Sequence, residues 1–305
     1  MSAANSNPTP RILVTGATGR LGRLLVPRLR ERGAVVRAFT RQVANAAALA
    51  DQSRHERAPF EVAVGDLEDR ASLRRAFEGV SHLFLLSPIV PELAAQQIAA
   101  IEAAAEAGVR RIVKLSGSHW TIEPPGRSLS GDAHARIEAA LAASGIAHRV
   151  LRPNAWTQVV LARLAAELAA GDVLHAPPGL PRVAYIDARD IADVAVEALL
   201  NDADDAGDVP PGPWVLTGAR AVDHGELARI AAGLSGRPVV AEPLSPQALA
   251  ARQAQAPSPY IAQVHAQFAA LIGADEAATV TNTVERVLGR PPRRIEDFVA
   301  ESLAA

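Results

Sequence analysis

Apolar runs alternate with amphipathic stretches along the first half of the chain. Short apolar runs are typical of buried strands, and leucine, isoleucine or alanine at three- and four-residue steps is typical of the buried face of a helix. The pattern predicts strands at 12–14, 34–39, 60–64, 82–86, 111–115 and 146–151, and helices at 21–32, 69–77, 91–107 and 133–143. Strands that alternate with helices imply right-handed crossovers, so we predict an α/β fold with a doubly wound parallel sheet of Rossmann type.

The pattern changes after Arg152. It predicts a helix at 159–168, a short strand at 182–186, a helix that starts at Asp187 or Asp190, a strand at 214–217, a helix at 224–234 and mostly helical sequence from there on. We therefore expect residues 11–155 to form the nucleotide-binding domain, with 182–201 returning to it. A smaller, mostly helical portion that caps the substrate is predicted for 156–181 and 202–305, and a disordered tail for 1–10.

The turn between the first strand and the first helix contains three glycines at three-residue spacing. Glycine permits the chain to reverse there and lets a pyrophosphate approach backbone amides, which are unpaired at a helix N-terminus. The turn predicts a dinucleotide-binding loop. An ordinary glycine-rich turn is the alternative, because the commonest spacing is G-x-G-x-x-G. The residues expected to contact the cofactor are Gly16, Thr18, Gly19, Arg20, Leu21 and Gly22.

The end of the second predicted strand indicates which dinucleotide binds. NAD-binding chains carry an acidic residue about 20 residues past the glycines for the ribose hydroxyls, whereas an arginine accommodates a 2′-phosphate. This strand ends in Phe39-Thr40-Arg41. Arg41 therefore favours NADP(H) over NAD(H), with Arg20 assisting. A solvated surface cation is the alternative for Arg41.

The other strands also end in residues suited to the edge where a ligand crevice forms. Asp66 follows the third strand, where its carboxylate either accepts from the adenine amino group or caps a turn. The fourth and fifth strands end in Ser87-Pro88 and Ser116-Gly117. The sequence thus adds five predicted cofactor contacts: Asp66, Leu67, Ser87, Pro88 and Ser116.

Composition excludes several classes of function. The formal net charge of -2 and the absence of long like-charge runs argue against nucleic acid or an anionic membrane as partner. No apolar stretch approaches the roughly 18 residues that span a bilayer, and residues 1–10 lack a signal-peptide pattern, so a cytoplasmic location is expected. There are no cysteines, and the eight histidines are not paired at metal-binding spacing. We therefore predict no metal site.

Several separate segments resemble the NmrA-like branch of atypical short-chain dehydrogenases, which includes type 2 NAD(P)H:quinone oxidoreductases. They are ILVTGATGRLG at 12–22, Arg41, GDLED at 65–69, RIVKLSG at 111–117, HARIE at 134–138, LRPNAW at 151–156, YIDARDIADVA at 185–195 and GRPPRRIEDFV at 289–299. The resemblance implies an NADP(H)-binding fold whose members reduce quinone-like or related carbonyl substrates, or sense the redox state of the cofactor. It also implies that the backbone at Pro153 and Asn154 lies near the carboxamide.

The chain departs from standard short-chain dehydrogenases in its catalytic residues. Their Tyr-x-x-x-Lys pair is missing, because Tyr185 and Tyr260 are followed four residues later by arginine and valine. The expected place holds His134 and Glu138 on one helical face. The resemblance implies that His134 contacts the cofactor or substrate, and its imidazole is suited to holding the amide or protonating a product. Glu138 is suited to orienting that ring. An exposed helical pair is the alternative.

Four further positions are candidates near the nicotinamide or the substrate. Lys114 lies in a strand expected to be covered by helices, where an unpaired ammonium is costly. We expect a carboxylate partner such as Glu138, with a structural ion pair favoured over a catalytic role. His119, Trp120 and Trp156 follow strand ends and are predicted to border the substrate pocket, with core packing as the alternative for both indoles.

These observations predict an NADPH-dependent oxidoreductase that transfers hydride directly to a quinone or conjugated carbonyl of a small molecule. One alternative is a non-catalytic NADP(H) sensor that binds a protein partner, which the missing Tyr-x-x-x-Lys pair favours. Another is a biosynthetic reductase or isomerase acting on a natural product. A homodimer is compatible with each function.

Overall fold

A computed structural model describes residues 9–51, 58–201 and 212–304, and most of the predicted tail (1–10) and linker (201–213) lies outside these ranges. The described residues contain nine strands: β1 Arg11–Val14, β2 Val35–Thr40, β3 Phe60–Val64, β4 His82–Leu85, β5 Arg111–Leu115, β6 Ala147–Pro153, β7 Val173–Ala176, β8 Trp214–Leu216 and β9 Val240–Pro243. Seven of them form one parallel sheet in the order β3-β2-β1-β4-β5-β6-β8. The predicted doubly wound α/β fold is confirmed.

Helices cover both faces of this sheet. The helices of the described residues are α1 Arg20–Glu31, α2 Ala44–Asp51, α3 Arg70–Phe77, α4 Leu93–Glu106, α5 His119–Ile122, α6 Leu129–Ala143, α7 Thr157–Val160, α8 Leu164–Ala170, α9 Ala188–Leu200, α10 His224–Ser235, α11 Pro246–Gln253, α12 Pro259–Gly273, α13 Thr283–Leu288 and α14 Ile295–Leu303. Helices α1, α9 and α13 pack on one face, and α3, α4 and α6 pack on the other. Among the residues that the structure describes, no helix has both the length and the apolar character needed to cross a bilayer.

The strand order reverses between β1 and β4. The chain winds outward from β1 through β2 to β3, and then from β4 through β5 and β6 to β8. Loops that leave β1 and β4 therefore diverge to opposite faces of the sheet, which opens a crevice at the carboxyl ends of these two strands. The glycine turn follows β1, so it lies at this crevice.

A second, smaller core lies beside the main sheet. It is built around the parallel pair β7-β9 and the helices α8, α10, α12 and α14. Its buried side chains include Leu168, Leu174, Leu227, Ile272 and Val299. This arrangement confirms the predicted helical C-terminal portion.

Some sequence predictions differ from the structure. The strand predicted at 182–186 is not part of a sheet, because its backbone amides bond to separate segments: Val183 to Val222, Ala184 to Ala277 and Ile186 to Ala155. The helix predicted at 159–168 is two helices, α7 and α8. Strand β8 was assigned to the smaller portion but is the edge strand of the main sheet.

The start of α9 is settled in favour of Asp187. Its carboxylate caps the helix by accepting the Arg189 backbone N–H at 2.7 Å. Asp190 is instead completely buried and forms ion pairs with Arg290 and Arg293. These pairs fasten the loop before α14 to the helix that covers the main sheet.

Candidate cofactor and active site

The glycine turn after β1 forms a tight cradle. Gly16 has a φ of +65°, and the Gly19 N–H donates to the Gly16 carbonyl at 3.0 Å. A Cβ added to Gly22 would lie 2.2 Å from the Ala17 carbonyl oxygen, and one added to Gly16 would lie 3.2 Å from the Leu86 carbonyl oxygen. Glycine is therefore required for the turn to close at these two positions.

Helix α1 begins immediately after this turn, with Gly19 as its N-cap and no side-chain cap. The first amides of a helix have no intrahelical acceptor, and the helix N-terminus carries a partial positive charge. The first turn contains no acidic residue that would oppose an anion. A dinucleotide diphosphate fits this glycine-lined cradle and the amides that face it.

The two arginines predicted to contact a 2′-phosphate are both exposed. Arg41 follows β2 directly, and Arg20 is the first residue of α1. Within the described ranges, neither has a hydrogen bond or an ion pair, so both guanidinium groups have donors available for an anion. Asp66 accepts the Glu68 backbone N–H at 3.1 Å, so it does cap a turn. Its predicted contact with adenine stays a prediction.

A buried polar network lies at the carboxyl ends of β4 and β5. Lys114, which is completely buried, donates to Gln97 Oε1 at 3.0 Å and to the Leu115 carbonyl at 3.2 Å, and its Nζ lies 3.1 Å from His134 Nδ1. Gln97 in turn donates to Ser87 Oγ at 3.0 Å. The three N–H groups of an ammonium match these three acceptors. The network thus connects Ser87 to His134.

Burial sets the charge of both titratable groups in this network. It lowers the pKa of Lys114 to about 7, against the opposing charge of Glu138. It also lowers the pKa of His134 well below its ordinary value, and the positive charges of Lys114 and Arg152 lower it further. His134 is therefore a neutral imidazole at neutral pH. With Nδ1 accepting from the Lys114 ammonium, its proton is on Nε2.

The Nε2 edge of His134 lies beside Gly117, just after β5. A Cβ on Gly117 would be 2.7 Å from His134 Cδ2, so glycine admits the ring here. No hydrogen bond to His134 Nε2 is found in the part of the chain that the structure describes, and the side chain is 7% exposed. The ring therefore presents an unoccupied N–H donor at the edge of the sheet where the crevice opens.

The predicted Lys114–Glu138 ion pair is wrong. Glu138 is held by Arg152, with Nε to Oε1 at 3.2 Å and Nη2 to Oε2 at 2.6 Å, and its Oε1 also accepts from Ser116 Oγ. Glu138 therefore does not orient the His134 ring. The alternative of an exposed helical pair is also wrong, because both side chains are largely buried.

The Arg152 network extends to the predicted substrate residue His119. Arg152 Nη1 donates to Glu123 Oε1 at 2.6 Å and lies 3.2 Å from His119 Nδ1. Burial lowers the pKa of Arg152, but its bonds to Glu138 and Glu123 outweigh this effect and raise it. The network fastens α6, which carries His134, to β6.

Trp120 and Asn154 form a structural connection in the interior. Trp120 Nε1 donates to Asn154 Oδ1 at 2.5 Å, and Asn154 Nδ2 donates to the carbonyls of Ala184 and Ala277, both at 2.9 Å. Trp120 also packs edge-on against Phe268. The Trp120 side chain therefore packs in the core, which was the alternative interpretation of this residue. The Asn154 side chain is not free for the cofactor, and the contact predicted at Pro153 and Asn154 stays a prediction for their backbone.

Trp156, the third predicted substrate residue, is half-buried against the core of the main sheet and forms an isolated bridge with Ile186. Leu21 is also a core residue and contributes only its backbone to the glycine loop. Pro88 is exposed at the mouth of the crevice. Metal-binding clusters of three or more histidine or acidic side chains are not found among residues 9–51, 58–201 and 212–304.

A cavity of about 750 Å³ lies between the end of β4, marked by Ile89, and the smaller core. Its walls are largely apolar, and they include Val160, Leu164, Val264 and Phe268. The sequence does not predict this cavity, because α7, α8 and α12 come together only in the folded chain. Tyr185, which falls in the strand predicted at 182–186, also lines the cavity and is 5% exposed.

Comparison with known proteins agrees with this geometry. The model of a family described as NAD(P)H-binding matches residues 16–202. The chain is 32% identical to the NAD(P)H azoreductase of Xenophilus azovorans over 299 residues, which cover 96% of this chain and 98% of the azoreductase. It is also 32% identical to a (4-alkanoyl-5-oxo-2,5-dihydrofuran-3-yl)methyl phosphate reductase of Streptomyces griseus over 295 residues, which cover 96% of this chain and 98% of the reductase.

A solved structure is similar over the same length. It is an NADPH-dependent quinone oxidoreductase of Escherichia coli in complex with NADPH, with 29% identity, a TM-score of 0.78, and coverage of 96% of this chain and 98% of that one. The resemblance to NmrA-like proteins seen in the sequence is thereby confirmed. The chain belongs to the NAD(P)H-binding family of oxidoreductases, among the NmrA-like members with quinone reductases as structural neighbours.

Proposed function

We propose that this protein is an NADPH-dependent reductase that delivers hydride to a quinone or a conjugated carbonyl compound. The observation that carries the proposal is the neutral, buried His134, whose Nδ1 is held by Lys114 so that Nε2–H is left as a donor. His134, on α6, lies beside Gly117, which follows β5, and the carboxyl ends of β5 and β1 are at the same edge of the parallel sheet. The azoreductase and the quinone oxidoreductase, both NAD(P)H-dependent by name, support a reductase.

The residues present fit a bound NADPH. The glycine cradle and the start of α1 would hold the diphosphate, and the exposed Arg41 and Arg20 would pair with the 2′-phosphate. When bound, the reduced nicotinamide supplies the hydride. The protein contributes position and hydrogen bonding.

His134 would stabilise charge that develops on the substrate oxygen. A neutral N–H donor fixed in advance by Lys114 needs no reorganisation when the oxygen becomes negative. Arg152 and Glu138 keep α6 in place, and therefore keep the imidazole in place. A quinone suits such a site, because conjugation stabilises its reduced oxygen without a tyrosine acid.

Substitution of His134 tests this role. His134→Leu removes the donor, and we expect kcat with menadione to fall about 100-fold, as on removing one oxyanion donor, with little change in the affinity for NADPH. His134→Gln keeps an N–H at a similar reach and should restore part of the rate. His148→Leu, at the amino end of β6, is the matched control and should leave kcat unchanged. A wild-type kcat in His134→Leu would refute the role.

The same assay separates the reductase from its alternatives. NADPH consumption is followed with quinones, conjugated enones and a saturated ketone, beside titrations of both oxidised and reduced cofactor. Tight cofactor binding without turnover of any acceptor would contradict the proposal and favour a redox sensor. Turnover of enones but not of quinones would favour a biosynthetic reductase, which the name of the Streptomyces relative also suggests.

Substitution of Arg41 tests the cofactor preference. Arg41→Gln should weaken NADPH binding by about 10- to 100-fold, the value of one charge-assisted contact to phosphate, and leave NADH binding unchanged. Arg32→Gln, at the far end of α1 where Arg32 pairs with Glu197, is the control. Equal losses for NADPH and NADH would contradict a 2′-phosphate contact.

A further inference from the structure

The cavity beside the predicted nicotinamide site has an apolar body and one charged end. Its walls are side chains of α7, α8, α11 and α12 and of the segment 177–185, together with Ile89 after β4. Arg163, Glu167, His175 and Arg252 line one end of it and also line a neighbouring surface depression of about 410 Å³. The charged end is therefore at the mouth, where a ligand group would remain in contact with water.

Positive charge is in excess at this mouth. Glu167 is the one carboxylate among the described residues that line the cavity itself, and both its oxygens are used: Oε1 by Arg252 at 3.0 Å and by the ring of His175 at 3.3 Å, and Oε2 by the His175 backbone N–H at 3.1 Å. Asp172, which lines the depression, pairs with Arg237. Arg163 is exposed and has no ion pair within the described ranges. Arg252 uses one of its nitrogens on Glu167, which leaves other donors available.

The interior of the cavity holds a polar group that lacks a protein partner. Tyr185 is 5% exposed, and no hydrogen bond to its hydroxyl is found among the residues described. Burial, with the nearby charge of Asp223, raises the pKa of this phenol, so it remains a neutral donor. This hydroxyl is therefore available to donate to an oxygen atom of a molecule bound in the cavity.

We propose that this cavity selects apolar substrates that carry one acidic group, a carboxylate or sulfonate. The apolar body occupies the cavity between α7, α8 and α12, and the acid lies at the mouth against Arg163 and Arg252. This inference rests on the proposed reductase function, whose substrate class it specifies. Apolar burial supplies affinity, and the guanidinium groups orient the molecule with its acid toward water.

Binding of two matched, non-reducible probes tests the inference in the presence of NADP⁺. Naphthalene sulfonate and naphthalene sulfonamide have the same shape and differ in charge, and calorimetry measures the affinity for each. We expect the sulfonate to bind about 10-fold more tightly, as for one charge-assisted contact at a partly exposed site. Added salt should reduce this preference.

Two substitutions should change the preference in opposite directions. Arg252→Gln should abolish most of the preference for the sulfonate over the sulfonamide. Glu167→Gln, which keeps the shape of the side chain and removes the competing carboxylate, should increase this preference by a few fold. A gain in affinity cannot arise from misfolding. Arg229→Gln, exposed on α10 and outside the cavity, is the control.

Equal affinity for the two probes, or a preference that neither substitution changes, would overturn the inference. Reduction of menadione, which is neutral, is measured separately and reports the proposed reductase function. Menadione turnover without a sulfonate preference would therefore refute the substrate class alone. Sulfonate preference without turnover of menadione or of naphthoquinone sulfonate would leave a binding site for acidic ligands and refute the reductase.

Discussion

Replacing Lys114 with methionine tests the buried network on which the proposed chemistry depends. Lys114 is the single lysine of the chain and is completely buried. Burial lowers its pKa from 10.5 to about 7, against the opposing charge of Glu138. The folded protein therefore releases this proton near pH 7, whereas the unfolded chain holds it until about pH 10.5.

The difference in proton binding makes stability depend on pH. Because the unfolded state binds more protons between these two pKa values, the free energy of unfolding rises with pH across that window, by about 1.4 kcal/mol per pH unit. From about pH 7.5 to about pH 9.5 the expected gain from Lys114 is about 2.5 kcal/mol. Below pH 7 the full cost of the buried charge is present. Lys114→Met has no such group and should lack this rise.

Urea unfolding followed by circular dichroism at the two pH values measures the effect. The difference in unfolding free energy between wild type and Lys114→Met should move in favour of wild type by about 2.5 kcal/mol on going to the higher pH. Arg110→Met, which removes an exposed charge just before β5, should follow the wild-type dependence. Identical pH dependence in wild type and Lys114→Met would refute the depressed pKa. Because one lysine is present, labelling lysine with ¹³C gives a direct titration of the same group by NMR.

Three further predictions follow from the site and its support. Gly22→Ala places a Cβ 2.2 Å from a loop carbonyl, so calorimetry should show NADPH binding weakened by at least about 100-fold, while Gly233→Ala, with open space around it, should bind normally. Asp190→Asn should lower the free energy of unfolding in urea by about 1.5–3 kcal/mol, because it removes the buried charge that Arg290 and Arg293 share and leaves them paired with Asp193 alone. The kcat of the wild type with menadione should fall as pH rises above about 7, because neutral Lys114 no longer fixes the His134 tautomer, and it should be independent of pH in Lys114→Met.

Local patterns predicted the main sheet well because each strand and helix there carries its own periodic signal. The prediction weakened where segments owe their shape to several neighbours at once. Residues 182–186 are apolar enough to look like a strand, but their amides bond to three separate segments. Helix α6 begins at Leu129 rather than at the predicted 133, and its first turn includes Gly131, where a Cβ would lie 1.8 Å from the Thr121 carbonyl oxygen of α5.

In the candidate site too, features set by one local segment could be predicted, and features set by contacts between distant segments could not. The glycine loop and Arg41 could be identified as candidates from spacing, because their expected ligand contacts depend on one strand-helix-strand unit. The partner of Lys114 could not, because Gln97 is on α4 and His134 is on α6, and nothing in sequence spacing distinguishes them from Glu138. The cavity could not be predicted from the sequence for the same reason, because helices far apart in the sequence form its walls.

The charge state of His134 limits which acceptors the site can reduce. A neutral imidazole N–H stabilises a developing oxyanion by hydrogen bonding but is a poor proton donor, in contrast with an imidazolium. The missing Tyr-x-x-x-Lys pair would have supplied an acid, and within the described residues Tyr185 is a phenol whose pKa burial raises rather than lowers. An isolated ketone would yield an alkoxide that needs a proton at once. A quinone or an extended enone yields an anion that conjugation stabilises until water protonates it, so the proposed hydride transfer to such acceptors needs no acid from Lys114 or His134.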